Sequence, residues 1–234
     1  MYKRILLKLS GEQLAGDLAG GIDKNRVRWI ADQIKPIVAA NTQVAIMVGG
    51  GNFVRGREIV GDGVAQVTAD NVGMLSTLIN ALAVSDVFNN DGLETRPLSS
   101  VDVSQFIDQY TFRRALSHLA KNRVVIVGGG IGRPFLTTDT AAVNLALELD
   151  CDVIIKTTKV DGVYDRDPMQ FPDATKYDNI SYTDVLTNPD MAVMDHAAVG
   201  LASEKHIPVI ICDLLTDGNI ARAAAGEPVG TRIS

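Results

Sequence analysis

Three short apolar runs of strand type end at glycine or at Ser-Gly, and this repetition restricts the fold more than any other feature. The runs are Arg4–Leu9 before Ser10-Gly11, Val44–Val48 before Gly49-Gly50-Gly51, and Val124–Val127 before Gly128-Gly129-Gly130. Glycine turns at strand ends let backbone N–H groups approach phosphate closely, and a helix that starts behind such a turn adds a favourable dipole. The pattern predicts phosphate-binding loops at the ends of these strands.

Composition indicates a single well-packed domain. The chain has 234 residues, of which 46% are hydrophobic and 21% charged. A chain of this length and composition can bury one large core, so we expect one domain over residues 1–234. The net charge of −6 argues against a nucleic-acid surface, which needs clustered Lys and Arg.

The N-terminus and the cysteines favour a cytoplasmic protein that is not bound to a membrane. Met1–Arg4 is basic, but Lys8 and Ser10 interrupt the apolar stretch behind it, so it does not read as a signal-peptide core. No run approaches the roughly 20 apolar residues of a membrane helix. Cys151 and Cys212 are isolated, and we expect them to be reduced thiols in the core.

Segments of strand type and helix type alternate, which predicts an α/β fold with a largely parallel sheet covered on both faces. The expected strands are 3–9, 43–48, 93–98, 124–128, 152–157, 207–212 and 230–233. The expected helices are one capped by Asp23 that Pro36 should kink or shorten, one over about 67–90, and further ones near 103–120, 139–149, 191–205 and 218–225. In the long helix, the expected apolar face carries Val72, Leu75, Ile79, Leu82 and Val87.

The glycine segments match neither of the two commonest nucleotide fingerprints. There is no G-x-x-x-x-G-K-[ST] loop and no G-x-G-x-x-G after a strand, so a third phosphate-binding architecture is expected. Phosphoryl transfer needs positioning and positive charge more than covalent chemistry. A phosphate acceptor has a second pKa of about 6 and needs no general base. His118, His196 and His206 are accordingly interpreted as structural.

Five segments occur in an order that resembles the amino acid kinase superfamily, and within it the bacterial uridylate kinases. They are Lys8-Leu9-Ser10-Gly11, Gly49–Gly56, Asp70 with Gly73-Met74, Pro134–Asp139, and Lys156–Tyr164 with Asp167-Pro168. Any one of these segments recurs by chance. Five in this order across residues 2–233 are specific.

The resemblance implies a three-layer αβα sandwich with a mainly parallel central sheet, and the reaction ATP + UMP → ADP + UDP. Mg²⁺ would arrive on ATP, with no metal bound by the protein itself. Roughly residues 1–150 would form the UMP side and roughly 151–234 the ATP side. The implied catalytic residues are Lys8, Arg55, Asp139 and Lys156, with Asp139 holding the lysines in place.

The resemblance also assigns binding residues to both substrates. The ATP site would use Lys8, Leu9, Ser10, Gly11, Gly51, Arg55, Thr158, Tyr164 and Asp167. The UMP site would use Gly50, Asp70, Ile131, Gly132, Arg133, Pro134, Phe135, Leu136, Thr137 and Thr138. In this assignment, Arg55 reaches between the two phosphates and Asp70 accepts from the UMP ribose.

Each assignment has a structural alternative. Lys8 would otherwise be an edge lysine that blocks aggregation, Asp161-Gly162 a hairpin turn, and Tyr164 a core residue. Thr137–Asp139 is also a good N-cap sequence, which is compatible with ligand contact.

Residues Gly130–Pro134 read Gly-Ile-Gly-Arg-Pro where relatives usually show Gly-Thr-Gly-Asn-Pro. The chain therefore departs from the family pattern at Ile131 and Arg133, in the stretch that the resemblance places around uracil. Bacterial relatives are typically hexamers, activated by GTP and inhibited by UTP. Arg96 and Arg123 stand where effector contacts would be expected.

Two rival functions use the same scaffold. The first is an amino acid kinase-type enzyme acting on a carboxylate or carbamate, which the segments 70–74 and 135–139 disfavour. The second is a non-catalytic nucleotide-binding or anion-binding protein, which should have lost Lys8, Asp139 or Lys156, whereas this chain retains all three.

Overall fold

A computed structural model describes residues 1–54, 59–61, 63–188, 191 and 193–234. The strands in this part of the chain are β1 (Arg4–Leu9), β2 (Gln43–Val48), β3 (Thr95–Ser99), β4 (Asp108–Gln109), β5 (Val124–Gly128), β6 (Val153–Thr158), β7 (Val163–Tyr164), β8 (Lys176–Tyr177), β9 (Asn179–Ile180), β10 (Val209–Asp213) and β11 (Thr231–Ile233). The helices are α1 (Gly11–Leu14), α2 (Lys24–Ala39), α3 (Gln66–Asn90), α4 (Phe112–Leu119), α5 (Thr138–Glu148), α6 (Tyr182–Thr187), α7 (His196–Lys205) and α8 (Asn219–Ala225).

Nine of these strands form one sheet, in the order β4-β3-β5-β2-β1-β6-β10-β11-β9. The pairs from β4 to β10 are parallel, whereas β11 runs antiparallel to β10. The strands β7 and β8 form a separate antiparallel ladder. The expected α/β fold with a mainly parallel sheet is confirmed.

Side chains along the central strands alternate between two cores, one on each face of the sheet. Ile5, Leu7 and Leu9 of β1 are buried against α2, α3 and α8, while Leu6 is buried with residues of α4, α5 and α7. Because both faces are covered by helices, the strands are almost continuously apolar. Period-two alternation therefore decides which strand residues face which helix layer.

The helix α2 begins where the sequence predicts. Asp23 is its N-cap, and the Asp23 carboxylate accepts a 2.8 Å hydrogen bond from the Asn25 amide. Pro36 does not shorten the helix, which continues to Ala39. The apolar positions Val27, Ile30 and Ile34 are fully buried, as their spacing predicts.

The long helix α3 is present, but the prediction of its buried face is wrong. Leu75, Ile79 and Leu82 are 53%, 48% and 38% exposed. The buried face is made mostly of small or polar residues, namely Ala69, Ser76, Thr77, Leu78, Asn80, Ala81, Val84, Ser85 and Phe88. Small side chains let the helix backbone lie close to β3 and β5, and the polar ones bond to loops at the ends of the strands.

The helix α3 is also the one described helix long and apolar enough to cross a membrane. Core helices of soluble proteins pass the same test of length and composition. Here one side of the helix packs on β3, β5 and α2, and a single helix of this length and composition is weak evidence for a membrane span.

Two other helix predictions need correction. The region 103–120 is helical only over Phe112–Leu119, because Thr111 is extended and caps α4 through the Arg114 amide, and β4 precedes it. The helix expected over 191–205 begins at His196, since the side chain of Asp195 caps it at the Ala198 amide. The sequence patterns did not predict α6 or the short strands β4, β7, β8 and β9.

Candidate functional site

The two predicted catalytic lysines lie side by side on neighbouring central strands. Lys8 of β1 is the direct register partner of Lys156 of β6. Lys8 has the same parity as Leu6, and Lys156 the same parity as Ile154, so both side chains point to the face that α5 covers. Both are more than nine-tenths buried, at 8% and 9% exposure. The edge-lysine alternative for Lys8 is therefore excluded, because β1 is a central strand.

Asp139 in the first turn of α5 pairs with both ammonium groups. Its Oδ1 lies 2.8 Å from the Lys8 Nζ, and its Oδ2 lies 2.6 Å from the Lys156 Nζ. The Lys156 Nζ also donates to the carbonyl oxygen of Val193. With one carboxylate shared by two ammonium groups, the ionised cluster carries one net positive charge.

The pKa values reflect this competition between burial and charge. Burial by itself would raise the pKa of Asp139, but the two lysines outweigh burial and hold that pKa below its ordinary value. Burial lowers the pKa of Lys156, and the charge of Lys8 acts in the same direction, while Asp139 opposes both. Asp139 is thus a stable anion that orients two cations.

The Gly49–Gly51 loop after β2 packs directly onto Ser10-Gly11 at the end of β1. A Cβ added at Gly11 would lie 2.6 Å from the Gly51 backbone nitrogen and 2.5 Å from the Asn52 Oδ1, so no side chain fits there. A Cβ at Gly50 would lie 2.9 Å from the Gly73 carbonyl oxygen of α3. These glycines let two loops and a helix meet without side chains between them.

A pair of buried amides fixes the same loop. Asn52 and Asn80 exchange reciprocal side-chain hydrogen bonds of 2.9 and 2.7 Å. Asn80 also donates to the Gly49 carbonyl, and Asn52 to the Gly21 carbonyl. Neither residue is among those predicted for the site; the polar position of Asn80 within an apolar helix is the available signal.

A cleft of about 850 Å³ opens in front of the lysine cluster. Residues predicted for the site that line it are Lys8, Gly50, Gly51, Asp70, Ile131, Phe135, Leu136, Thr137, Thr138 and Asp139. Residues not assigned a binding role that also line it are Glu12, Val54, Gln66, Gly73, Met74, Thr77, Gly130, Met194 and Asp195. None of these described lining residues is a histidine, in line with the interpretation of the three histidines.

Asp70 and Phe135 join two walls of this cleft. One Asp70 oxygen accepts a 2.8 Å hydrogen bond from the Phe135 amide, and the other accepts from the Gln66 side chain at 2.8 Å. Phe135 has a φ of +66°, in the left-handed region that aromatic residues rarely adopt, and its ring is exposed. The bond to Asp70 helps to hold this strained backbone at the cleft mouth.

Several predicted site residues lie elsewhere. Gly132, Arg133 and Pro134 belong to the loop that reaches the cleft but do not line it, and Arg55 falls outside the described residues. Leu9 is fully buried, so only its backbone can serve a ligand; its carbonyl accepts from the Gly49 amide. Ser10 caps α1, and its amide donates to the Gln13 side chain.

The residues predicted for the adenosine end of ATP do not line the cleft of Lys8. Thr158 ends β6, and its hydroxyl donates to the Val160 carbonyl. The Tyr164 hydroxyl donates to Asp161, and this bond is the main cause of a lowered pKa of that carboxyl. Asp167 accepts from the Met169 amide. Asp161-Gly162 is not a tight hairpin turn, since it precedes β7 and the partner strand begins at Lys176.

Tyr164 is half-buried rather than part of the core. The predicted contacts of Thr158, Tyr164 and Asp167 with ATP stay predictions.

Arg96 and Arg123 converge on one carboxylate away from the cleft. The Arg96 Nη2 and the Arg123 Nε each lie 2.8 Å from the Glu94 Oε1. Arg96 lies near the start of β3 and Arg123 just before β5, whereas the glycine turns follow the strands' carboxyl ends. The two arginines are thus at the opposite edge of the sheet from the lysine cluster.

The donor set at the cleft does not fit a resident metal ion. Within the described ranges, no group of three or more His, Cys, Asp or Glu side chains could hold one. Asp139, the carboxylate nearest the lysines, is already paired with two ammonium groups.

The fold and the cleft together define an α/β phosphate-binding protein, in which glycine loops and paired ammonium groups meet at the carboxyl ends of parallel strands. Residues 3–213 match the amino acid kinase family. The chain belongs to that family, and its nine-stranded sheet with flanking helices has the fold of the family.

Solved structures with the same fold include kinases of a nucleoside monophosphate. A UMP kinase from Bacillus anthracis is 37% identical with a TM-score of 0.95, and the match covers 100% of this chain and 96% of that one. A UMP kinase from Ureaplasma parvum is 30% identical with a TM-score of 0.92, covering 100% and 99%. A uridylate kinase from Archaeoglobus fulgidus is 27% identical with a TM-score of 0.73, covering 98% and 99%. The resemblance recognised in the sequence is confirmed.

Proposed function

We propose that this protein is a UMP kinase that transfers the γ-phosphoryl group of Mg-ATP to UMP and releases ADP and UDP. The observation that carries the proposal is the pair of lysines clamped by Asp139 at the glycine-lined cleft. Support for UMP as the acceptor comes from two UMP kinases that match this chain end to end at 30% identity or more.

The chemistry follows from the groups in the cleft. A phosphate oxygen of UMP forms a bond to the γ-phosphorus as the bond from that phosphorus to the β,γ-bridging oxygen breaks, and ADP leaves with the electron pair. The UMP phosphate has a second pKa of about 6, so it is largely ionised at pH 7 and needs no base. Lys8 and Lys156 would stabilise charge on the transferred group and on the leaving oxygen.

We assign the two substrates to opposite sides of the lysine cluster. UMP would occupy the side formed by Gly50, Asp70 and the 131–138 loop, most of which lines the cleft. ATP would approach over Ser10, Gly11 and Gly51, with Arg55 between the phosphates and with Thr158, Tyr164 and Asp167 near its nucleoside. Mg²⁺ would enter on ATP, in keeping with the donor set described above.

A substrate panel tests this proposal. The purified chain would be mixed with Mg-ATP and UMP, CMP, dUMP, N-acetylglutamate or carbamate, and both ADP release and the phosphorylated product would be measured. We expect rapid UDP formation with UMP and little product from the carboxylate or carbamate. Faster turnover of N-acetylglutamate would favour the amino acid kinase alternative. Binding of ATP and UMP without turnover would favour a non-catalytic protein.

We further propose a homo-oligomeric, hexameric assembly in the cytoplasm, serving pyrimidine nucleotide biosynthesis. Leu75, Ile79 and Leu82 form an exposed, uncharged apolar stripe along α3, and an uncharged stripe can meet its own copy across a two-fold axis. Sedimentation of the wild-type chain and of Ile79→Lys tests the contact, with smaller particles expected for the variant. An unchanged sedimentation coefficient would place the subunit contact elsewhere.

Regulation by GTP as activator and UTP as inhibitor is also proposed, with Arg96 and Arg123 as candidate contacts. The support is their position on the surface away from the cleft, where a second polyanion could bind without competing with substrates. Adding GTP or UTP to the UMP assay, with wild type and with Arg123→Ala, tests both effects. Equal responses in the two proteins would remove Arg123 from the effector site.

A further inference from the structure

Asp195, which lies just before α7 and lines the cleft, makes more bonds than a helix cap requires. Its Oδ1 accepts from the Ala198 amide at 2.8 Å, which is the capping bond. The same oxygen accepts from the Thr140 hydroxyl at 2.8 Å, and the Oδ2 accepts from the Thr137 hydroxyl at 2.5 Å. Both threonines belong to the start of α5, the helix that carries Asp139.

The segment that leads into Asp195 touches the second catalytic lysine. The carbonyl oxygen of Val193, two residues before Asp195, accepts a hydrogen bond from the Lys156 Nζ. The other described acceptor of that ammonium group is Asp139. Lys156 is therefore held between an oxygen on α5 and an oxygen on the approach to α7, and Asp195 ties these two elements together.

We infer that Asp195 is a positioning residue that fixes the Lys156 ammonium group for phosphoryl transfer by locking the 193–195 segment to the start of α5. The inference rests on the proposed function for its catalytic meaning. A displacement of about 1 Å in such a group can lower a rate by as much as 10²-fold. Asp195 makes no described hydrogen bond to either lysine, so it positions Lys156 through Val193 and Asp139, while its negative charge also acts on Lys156 through space.

Comparison with another aspartate cap separates this role from helix capping. Asp23 caps α2 through a 2.8 Å bond to the Asn25 amide, on the other face of the sheet. Asn is as good an N-cap as Asp, so Asp→Asn leaves capping nearly unchanged at both positions. Asp23→Asn is therefore a matched control for Asp195→Asn.

The kinetic arm measures kcat and both KM values for wild type, Asp195→Asn, Thr140→Val and Asp23→Asn, together with thermal unfolding. For Asp195→Asn we expect kcat to fall about tenfold, with each KM changed by less than about twofold, because the loss falls on transition-state stabilisation. Thr140→Val removes one donor and should lower kcat about threefold by the same reasoning. Asp23→Asn should match wild type within about twofold.

A second experiment does not depend on catalytic activity. Competitive labelling of lysines with acetic anhydride across a pH series, read by mass spectrometry, gives the pKa of Lys156 in the free protein. The charges that act on Lys156 are Asp139, Lys8 and Asp195. Asp195→Asn removes a negative charge, so the pKa of Lys156 should fall, while Thr140→Val and Asp23→Asn should leave it unchanged.

Any one of four results would overturn the inference. Asp195→Asn with wild-type kcat would do so, as would a raised KM for UMP at unchanged kcat, because the latter marks a substrate contact. An equal fall in kcat in Asp23→Asn and in Asp195→Asn would show that Asp195 acts only as a helix cap. If the wild-type chain forms no UDP, the proposed reaction fails, and an unaltered pKa of Lys156 in Asp195→Asn would then also reject the link.

Discussion

Two clusters in this protein join a pair of cations to one carboxylate, yet they differ in nearly every other respect. In the cleft, Lys8 and Lys156 take separate oxygens of Asp139, and the three side chains are only 10–12% exposed. At the opposite edge, Arg96 and Arg123 share the Glu94 Oε1, and these three side chains are 25–51% exposed. The arrangement of charges is similar, but the surroundings are not.

The difference shows how burial turns an ion cluster into a preorganised site. Charges in the interior interact strongly, and separating them leaves a cation without compensation. The exposed cluster is screened by water and salt, so each of its pairs contributes little and its arginines can exchange Glu94 for another anion at small cost. The first cluster suits a fixed catalytic task and the second a reversible contact.

Removal of Lys8 should have the largest effect. Lys8→Ala deletes one of the two cations facing the transferred group, and we expect kcat to fall by roughly 10²–10³, the typical effect of losing one transition-state stabilising donor. UDP formation in a coupled assay measures it. Lys205→Ala, at the exposed end of α7, is the matched control. A wild-type rate in Lys8→Ala would remove Lys8 from the catalytic residues.

Asp139→Asn breaks the buried cluster itself. We expect kcat to fall by roughly 10²-fold and the free energy of unfolding to fall by about 3 kcal/mol, the usual effect of leaving buried cations without their counterion. The fold, read by circular dichroism, should persist. A normal rate, or unfolding without a specific catalytic defect, would contradict the role of Asp139.

The same variant has a predictable pH dependence. The folded-state pKa of Asp139 lies below its ordinary 3.8, so its stabilisation is fully present above that pH and is lost as pH falls through the lower folded value. The free energies of unfolding of the wild type and of Asp139→Asn, measured by denaturant melts, should therefore converge in acid. A gap that stays constant down to the lowest accessible pH would show that the stability loss has another origin.

The pKa of Lys156 sets an expectation for alkaline pH. Burial lowers this pKa below the ordinary 10.5, so the ammonium group should lose its proton, and kcat should decline, before an exposed lysine would titrate. A pH profile of kcat at saturating substrates measures this alkaline decline. In Lys156→Arg the decline should vanish, since arginine does not titrate in this range. A decline centred at or above pH 10.5 in the wild type would contradict the assignment of Lys156 as the titrating group.

The exposed cluster should give the smallest effect. Glu94→Gln should change the free energy of unfolding by less than about 1 kcal/mol, because exposed ion pairs contribute little, and raised salt should shrink the change further. Basal UDP formation should be unchanged. A stability loss as large as that of Asp139→Asn would erase the contrast between the two clusters.

The sequence predicted the central strands and their loops well, because apolar runs that end in glycine are a local signal. Lys8 was recognisable as a lone cation within such a run, whereas Lys156 was assigned from the family resemblance. The register that makes them neighbours was not recognisable, since strand pairing depends on contacts between residues far apart in the chain. Asp195 was missed for a related reason, because its partners Thr137 and Thr140 lie more than 50 residues away.

The helix α3 gives the opposite lesson. Its apolar residues were taken as the buried face, because burial is the usual fate of leucine and isoleucine. In the folded chain a tight approach to the sheet selects alanine, serine and threonine for the inside, and the larger residues stay on the surface. Hydrophobicity alone cannot reveal how close two backbones come.

The register of Lys8 and Lys156 limits how such a protein can change over time. A deletion of one residue inside β1 or β6 would place the lysine side chain on the other face of the sheet, in the layer of α2 and α8 and away from the cleft. Insertions in the loops after the strands would leave the pair in place. New acceptors are therefore reached by remodelling the loops around the cleft, while the strand cores tolerate substitution but no change of length.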